Sequence, residues 1–397
     1  MILWGVFEIK PFVFKTSGKI VFGSGSLKKL SEELKVFPKG KVLIVTDENL
    51  AKSEIIESVM KEVEKSGREH ALYGEVSPEP AVEHADRAGE MAKDCALVIG
   101  VGGGSSLDVA KGASVVASSG GKARDYIGLG KVPKKGLPIV AIPTTAGTGS
   151  EVTPTAVFIF DERKKGGINS PYIIPDLAIL DPMLTLSLPP SLTASTGMDA
   201  LTHALESYVA KASTPMSEIF SIEALRLISQ NIRIAYADPD NLEAREGMMF
   251  GSLLAGIALA HAGVGACHSM SYPLSSFYGI GHGLANAVLI PHVSLYNAIA
   301  APKKYAFVAS LLGEDVDEVS SREAAFAIYD ALLKLLYDLN IPVNLASLGV
   351  AEEDLPRLAA SALEVDRPLT NNPRRIGYEE IYNIYHNVYN FGREEGY

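Results

Sequence analysis

Cysteine is nearly absent: Cys95 and Cys267 are the only thiols in 397 residues. That excludes a disulfide scaffold in practice and disfavours a cysteine-built metal site. Both thiols sit in apolar sequence, as buried, reduced side chains of a cytoplasmic protein do. Positive charge is also scarce, with 36 Lys and Arg against 47 Asp and Glu. The resulting net charge of −11 argues against nucleic acid as a partner, which asks for a basic face, and equally against an electrostatic membrane contact. One apolar run, residues 248–260, falls short of the roughly 20 residues that span a bilayer and reads as a buried helix. The first ten residues show neither a basic n-region nor a long apolar h-region, so no signal peptide is expected. What is left is ordinary globular usage in a length suited to two or three domains.

The first half of the chain alternates strand and helix patterns. Residues 41–46 (KVLIVT), 68–74, 96–100 (ALVIG) and 138–142 (PIVAI) read as strands. Residues 50–65, 80–93 and 106–118 read as helices between them. Such alternation predicts a parallel sheet with helices on both faces. Past Asp181 the prolines Pro182, Pro189 and Pro190 mark a break. From Ser191 onward the apolar spacing is helical almost throughout. The expected division is residues 1–185 as an α/β domain and residues 186–397 as an all-helical domain.

Two loops after strands carry phosphate-binding chemistry. Gly102, Gly103, Gly104 and Ser105 follow the 96–100 strand and open a helix. Glycines let the backbone approach a pyrophosphate, and the helix start supplies free N–H groups. An ordinary tight turn has the same composition. The second loop follows the 138–142 strand and holds Thr144, Thr145 and Thr148 beside two glycines. Two such loops after buried strands fit a ligand at the C-terminal edge of a parallel sheet. Asp47 ends the 41–46 strand. It can accept from the 2′-hydroxyl of NAD and repel the 2′-phosphate of NADP, or it can cap the helix that follows.

Asp199 and His203 lie four apart on a predicted helix over 191–210, so one face presents both. A solvated polar face would look the same. The next segment is more telling: no Lys, Arg, Asp or Glu occurs between Glu246 and Lys303, yet His261, His268, His282 and His292 do. A stretch so free of charge is mostly buried, and buried polar groups need partners. Three imidazoles and one carboxylate suit a borderline divalent ion, Fe²⁺ or Zn²⁺, better than Ca²⁺ or Mg²⁺. His261, seven residues before His268, is expected on the same helix face as a site-lining residue. His292, after Pro291, is expected to cap or pack.

The motifs GGGSSLDVAK (102–111), IPTTAGTGSEVT (142–153), STGMDALTHALES (195–207) and HSMSYPLSSFYGIGHGLANAVLIPHV (268–293) resemble those of the iron-dependent (group III) alcohol dehydrogenases. The resemblance spans nearly the whole chain. It implies a dinucleotide-binding α/β domain followed by an all-α domain, a dehydroquinate synthase-like architecture. It implies metal ligation by Asp199, His203, His268 and His282. It implies cofactor contacts from Asp47, Gly102, Gly103, Gly104, Ser105, Thr144, Thr145, Thr148 and Lys165. NAD is favoured over NADP by Asp47, and Fe²⁺ is the expected ion with Zn²⁺ as alternative. The implied activity is NAD(P)-linked oxidation of small primary alcohols or diols and reduction of the aldehydes. A glycerol dehydrogenase-like or other polyol or hydroxy-acid enzyme is the alternative on the same scaffold. A non-catalytic nucleotide-binding regulator would have lost the ligand set. A homodimer is also implied, with residues 12–14 and 19–22 pairing between subunits. One departure stands out. Several relatives carry a histidine four residues after the third ligand, and here that position is Tyr272. A tyrosine relays protons poorly at neutral pH, which leaves His261, Tyr272 itself, or water through the cofactor ribose as candidates.

Overall fold

The computed structural model describes residues 11–161 and 164–392, so the reading of the first ten residues lies outside the described part. The N-terminal half builds the expected alternation. β1 (Lys19–Phe22), α1 (Leu30–Glu33) and β2 (Lys41–Asp47) come first. α2 (Glu54–Lys65) starts at Ser53, whose hydroxyl accepts from the Ile56 amide. β3 (His70–Val76), α3 (Val82–Ala92), β4 (Cys95–Gly102) and α4 (Gly104–Ser119) follow. Then come β5 (Gly128–Leu129), β6 (Ile139–Pro143), β7 (Thr155–Phe160), β8 (Lys164–Asn169) and β9 (Leu177–Leu180).

Six strands form one parallel sheet in the order β1-β9-β6-β4-β2-β3. Successive residues of β2 point to opposite faces. Leu43 and Val45 join Val98, Ala113 and Ile139 on one side, while Val42 and Ile44 join Leu30, Ile56 and Ile99 on the other. The register pairs Val45 with Gly100, and Gly102 with Pro143. Asp47, Gly102 and Pro143 therefore end adjacent strands at one edge. The chain runs outward from β2 to β3 and returns to β4 on β2's other side, so this edge is also the switch point where ligands of such sheets bind.

A second sheet, β5-β8-β7, was not foreseen. β7 and β8 form an antiparallel hairpin. β8 reads KKGGIN, too polar and glycine-rich to signal a strand by pattern. Its Gly166 is needed because a side chain there would strike the Phe160 ring across the hairpin.

The helical half comprises α5 (Pro190–Val209), α6 (Pro215–Ala237), α7 (Leu242–Ala262), α8 (Ala266–Tyr278) and α9 (His282–Asn297). After these come α10 (Pro302–Leu311), α11 (Ser321–Asp338), α12 (Leu355–Leu363), α13 (Asp366–Asn371) and α14 (Tyr378–Asn390). Its core of Met198, Leu201, Ile228, Met249, Leu274 and Leu289 is continuous with Ala178 and Leu180 of β9 and with Ala146 and Val152 of the loop region after β6. The two halves thus share one apolar seam.

Two expectations need correction. α7 and α8 are separate helices that meet at a bend of 106°, with Gly263 at φ 70° just past Ala262. His261 and His268 therefore do not share a helix face. Residues 12–14, expected as a strand, lie outside any strand of the chain, whereas Lys19–Phe22 does form one, the edge strand β1 beside β9. His282–Ala300 is long and apolar enough to cross a bilayer, but 67% of it is buried within the helical half, as befits a core helix.

Candidate metal and dinucleotide site

α5 starts behind Pro189 and carries Asp199 and His203 one turn apart. α8 brings His268 near its start, and α9 begins at His282. α9 can begin this close to α5 because residue 283 is glycine: a Cβ there would collide with the Ser195 carbonyl. Asp199 Oδ1 lies 3.9 Å from His203 Nε2, 4.0 Å from His268 Nε2 and 3.7 Å from His282 Nε2. The four ligand atoms all fall within 4.8 Å of one another.

Each imidazole has its other nitrogen engaged, which fixes the tautomer that turns Nε2 inward. His203 Nδ1 donates to the Gly147 carbonyl at 3.3 Å. His268 Nδ1 donates to Glu206 Oε2 at 2.6 Å, and Glu206 Oε1 accepts from the Cys267 amide at 2.7 Å. His282 Nδ1 lies 3.4 Å from Ser271 Oγ, whose own proton goes to the His268 carbonyl. Asn286 Nδ2 donates to Asp199 Oδ1 at 2.8 Å and lies 3.3 and 3.2 Å from the Nε2 atoms of His268 and His282. Burial works against charge on Asp199. The imidazoles of His203, His282 and His268 and the Asn286 amide outweigh it, holding the carboxyl down to about 2. Burial lowers His203, and it lowers His282 strongly, where Lys165 adds to the effect.

This donor set fits a divalent ion. Three nitrogens and one carboxylate oxygen are borderline ligands. Separations of 3.7–4.0 Å around Asp199 Oδ1 are close to the edge of about 3.4 Å expected for a tetrahedron with bonds near 2.1 Å. Three inward nitrogen lone pairs and a carboxylate face one another with one amide as the donor among them.

Three ligands are sealed off, but the His282 side chain is 23% exposed against 3% for His268, so the set opens on the His282 side. Tyr272 stands there, its ring 5.6 Å from that of His282. Burial and the carboxylates of Asp199, Glu79, Asp108 and Glu206 push its phenol well above the usual range, so it stays protonated. The Lys165 ammonium lies 5.4 Å over the Tyr272 ring and pairs with Glu79. His261 goes elsewhere: its ring stacks on Phe14 at 4.3 Å, and Nε2 bonds to the Lys15 carbonyl. His292 packs edge-on against Tyr329 and Phe391.

The sheet edge leads directly to the ligand set. α4 opens at Gly104 without a side-chain cap, leaving its first amides free for an anion. Gly102, at φ 137°, adopts a backbone that favours glycine; a Cβ would sit 2.7 Å from Ser106 Oγ and 3.3 Å from Asp47 Oδ2. Asp47 caps the turn after β2 and keeps one oxygen toward the glycine loop. Oδ1 accepts from the Asn49 and Leu50 amides, while Oδ2 faces the glycine turn. Thr145 and Thr148 pack over Gly103 and Gly104, whereas Thr144 is buried. Ser106 Oγ is buried without a partner among the described residues. Gly147, on the same loop, is the residue whose carbonyl holds His203.

Sequence reasoning did not assign Glu206, Asn286, Ser271 or Glu79. Glu206 and Asn286 carried a signal, as polar residues three and four positions after a ligand in apolar helices. Glu79 carried none, because only the fold brings β3's end to α9.

The chain matches the family profile described as iron-containing alcohol dehydrogenase over residues 17–182, and its C-terminal counterpart over residues 193–389. It is 39% identical over 371 residues to the NAD-dependent methanol dehydrogenase of Bacillus methanolicus, covering 93% of this chain and 97% of that protein. It superposes on the crystal structure of a 1,3-propanediol oxidoreductase with a TM-score of 0.93 at 37% identity, covering 96% of this chain and 100% of that one. A sulfoacetaldehyde reductase from Bifidobacterium kashiwanohense, solved with NAD⁺, matches with a TM-score of 0.84 at 32% identity, over 96% and 99% of the two chains.

Proposed function

This chain belongs to the iron-containing alcohol dehydrogenase family, and from that premise we propose that its alcohol dehydrogenase and aldehyde reductase activity on small alcohols and diols depends on NAD and on a divalent ion, Fe²⁺ with Zn²⁺ as alternative. The observation that carries this is one continuous path. The glycine turn and threonine loop at the sheet edge connect through the Gly147 carbonyl to His203, and so to four converging ligand atoms.

Asp199, His203, His268 and His282 would hold the ion, which when bound polarises the alcohol or carbonyl oxygen and eases loss of the hydroxyl proton. The amides of Gly104 and Ser105 would hold the pyrophosphate, and Asp47 the adenosine ribose, with its charge disfavouring a 2′-phosphate. Thr145 and Thr148 line the same turn, and the nicotinamide supplies or accepts the hydride. The cleft brings both reactants together and so contributes through proximity.

Tyr272 remains a neutral phenol, so it donates a hydrogen bond toward the reacting oxygen rather than carrying a proton. His261 is committed to Phe14 and Lys15 and is left out of the proton route. Water at the exposed flank of His282 takes that role. Lys165 reaches the cleft beside Tyr272, where an ammonium can meet the cofactor. Among the described residues one edge of β1 carries no strand, which supports association of two copies through it.

The test is turnover of short aldehydes and diols by protein stripped with a chelator, then reloaded with Fe²⁺ or Zn²⁺, using NADH and NADPH in parallel. Loss on stripping, recovery on reloading and preference for NADH are expected. Full activity in the stripped protein would refute the metal reading.

A further inference from the structure

Three side chains from three separate elements meet on the open flank of the ligand set. Glu79 lies between β3 and α3 with φ at 50°, a left-handed conformation that glutamate rarely adopts. Two contacts hold it there. Oε1 accepts from the His282 amide at 3.3 Å, and Oε2 pairs with the Lys165 ammonium. Lys165 stands on β8, is only 5% exposed, and lies over the Tyr272 ring of α8. Backbone strain held in place at the rim of a reaction site points to a role at that site.

A substrate with its reacting oxygen at the four ligands directs its far end toward this flank, where His282 is exposed and Tyr272, Lys165 and Glu79 stand. An unpaired ammonium there would attract a carboxylate or sulfonate tail. The Glu79 carboxylate instead occupies that ammonium and presents its own negative charge. We infer that Glu79 is a specificity-determining residue: by neutralising Lys165 it makes the enzyme select uncharged, hydroxyl- or alkyl-ended substrates and turn away anionic ones. The inference rests on the four-ligand centre being the place of reaction.

The test uses a matched pair, 3-hydroxypropanal and 3-oxopropanoate, which share a carbon chain and differ in the charge of the tail. The metal-loaded enzyme with NADH is expected to favour the uncharged aldehyde. Glu79→Gln keeps an acceptor for the His282 amide and removes the charge. It should raise the anionic-to-uncharged ratio of kcat/KM roughly 10- to 100-fold, the effect of one charge roughly 6–12 Å away at an effective dielectric of about 20. The gain should sit mainly in KM, and adding Lys165→Met should cancel it. Binding of 3-hydroxypropanoate to the metal- and NAD-loaded protein, followed by saturation-transfer NMR, should tighten in the same variant. A wild type that prefers the anionic aldehyde overturns the inference without any variant. So does a Glu79→Gln enzyme that loses both activities equally, as a purely structural turn residue would. A wild type inactive on both aldehydes, whose Glu79→Gln form still binds 3-hydroxypropanoate more tightly, sinks the functional reading and leaves the charge filter standing.

Discussion

Each half of the molecule buries a cluster of ionisable side chains, and the two clusters are finished differently. In the α/β half, Lys111 is fully buried on α4. Its ammonium donates to Ser150 Oγ at 2.8 Å, to the Thr155 carbonyl at 2.8 Å and to the Thr153 carbonyl at 3.1 Å. Asp108 accepts from Ser150 Oγ and from the Val157 amide. Donors and acceptors match, and the cluster ties α4 to β7 and the turn before it. In the helical half, around Asp199, three imidazole nitrogens and a carboxylate oxygen converge, with Asn286 as the donor among them. A balanced set is a clamp, whereas a set of lone pairs lacking protons calls for a cation. Both are costly to bury. Even with Asp108 and Glu151 nearby, burial draws Lys111 down to about 8.

Removing one member from each cluster breaks the comparison if it is wrong. His268→Ala should abolish metal binding, with turnover falling by more than the roughly 10–100-fold that loss of an outer partner costs. Its metal-free form should also unfold earlier, by about 1–3 kcal/mol, because Glu206 Oε2 loses its donor. Lys111→Met should act on stability alone. It leaves Asp108 buried without its cation and costs about 3–5 kcal/mol of stability, read from the urea midpoint, while metal content stays intact. Loss of the ion from Lys111→Met would mean that the two clusters are one system.

The clusters also differ in how far the sequence revealed them. The ligand types, their i, i+4 spacing and the uncharged stretch around His268 and His282 pointed to one centre, because burying imidazoles without charge nearby is itself informative. The parallel sheet was legible for a similar reason: KVLIVT and ALVIG are apolar runs with no polar face, which only a doubly covered strand requires. What pattern could not supply was direction. The bend after Ala262 moves His261 from the expected place lining the site to a stack on Phe14, and no periodicity marks it, since the chain is apolar on both sides of the bend. Lys111 and Glu79 act on residues dozens to hundreds of positions away, and only the three-dimensional register brings those partners within reach.

His292 sharpens the comparison by showing what burial does alone. It lies in the same uncharged stretch as His268 and His282 but is enclosed by Tyr329 and Phe391, with no carboxylate partner among the described residues. Burial brings it from the usual 6.5 down to about 4. The unfolded chain therefore takes up a proton between pH 6.5 and 4 that the folded chain refuses. Stability from this group is intact above pH 6.5 and is lost as pH falls toward 4, by up to about 3 kcal/mol. His292→Phe should remove that slope. Melting of the metal-free wild type and variant, followed from pH 7 to 4, should show the wild type falling more steeply. Parallel curves would show that the imidazole is not held neutral.

The finest test lies at the boundary between clamp and ligand set, in Glu206. Its two oxygens receive two donors, the Cys267 amide and His268 Nδ1. Glu206→Gln keeps the shape but offers one acceptor and one NH₂ group. If the carbonyl oxygen serves Cys267, the NH₂ faces His268 Nδ1. The imidazole must then move its proton to Nε2, the atom turned toward Asp199. A protonated Nε2 has no lone pair for an ion, so a change outside the ligand set acts through the tautomer of a ligand within it. The expected result is a roughly 10–100-fold weaker metal affinity in chelator competition, with stability of the metal-free protein changed far less than that of the loaded form. Restoring the carboxylate one methylene shorter, as Glu206→Asp, should recover part of the affinity, because both oxygens can again accept. An unchanged affinity in Glu206→Gln would mean that His268 keeps its tautomer without the carboxylate, and that Glu206 belongs with the clamp rather than with the ligands.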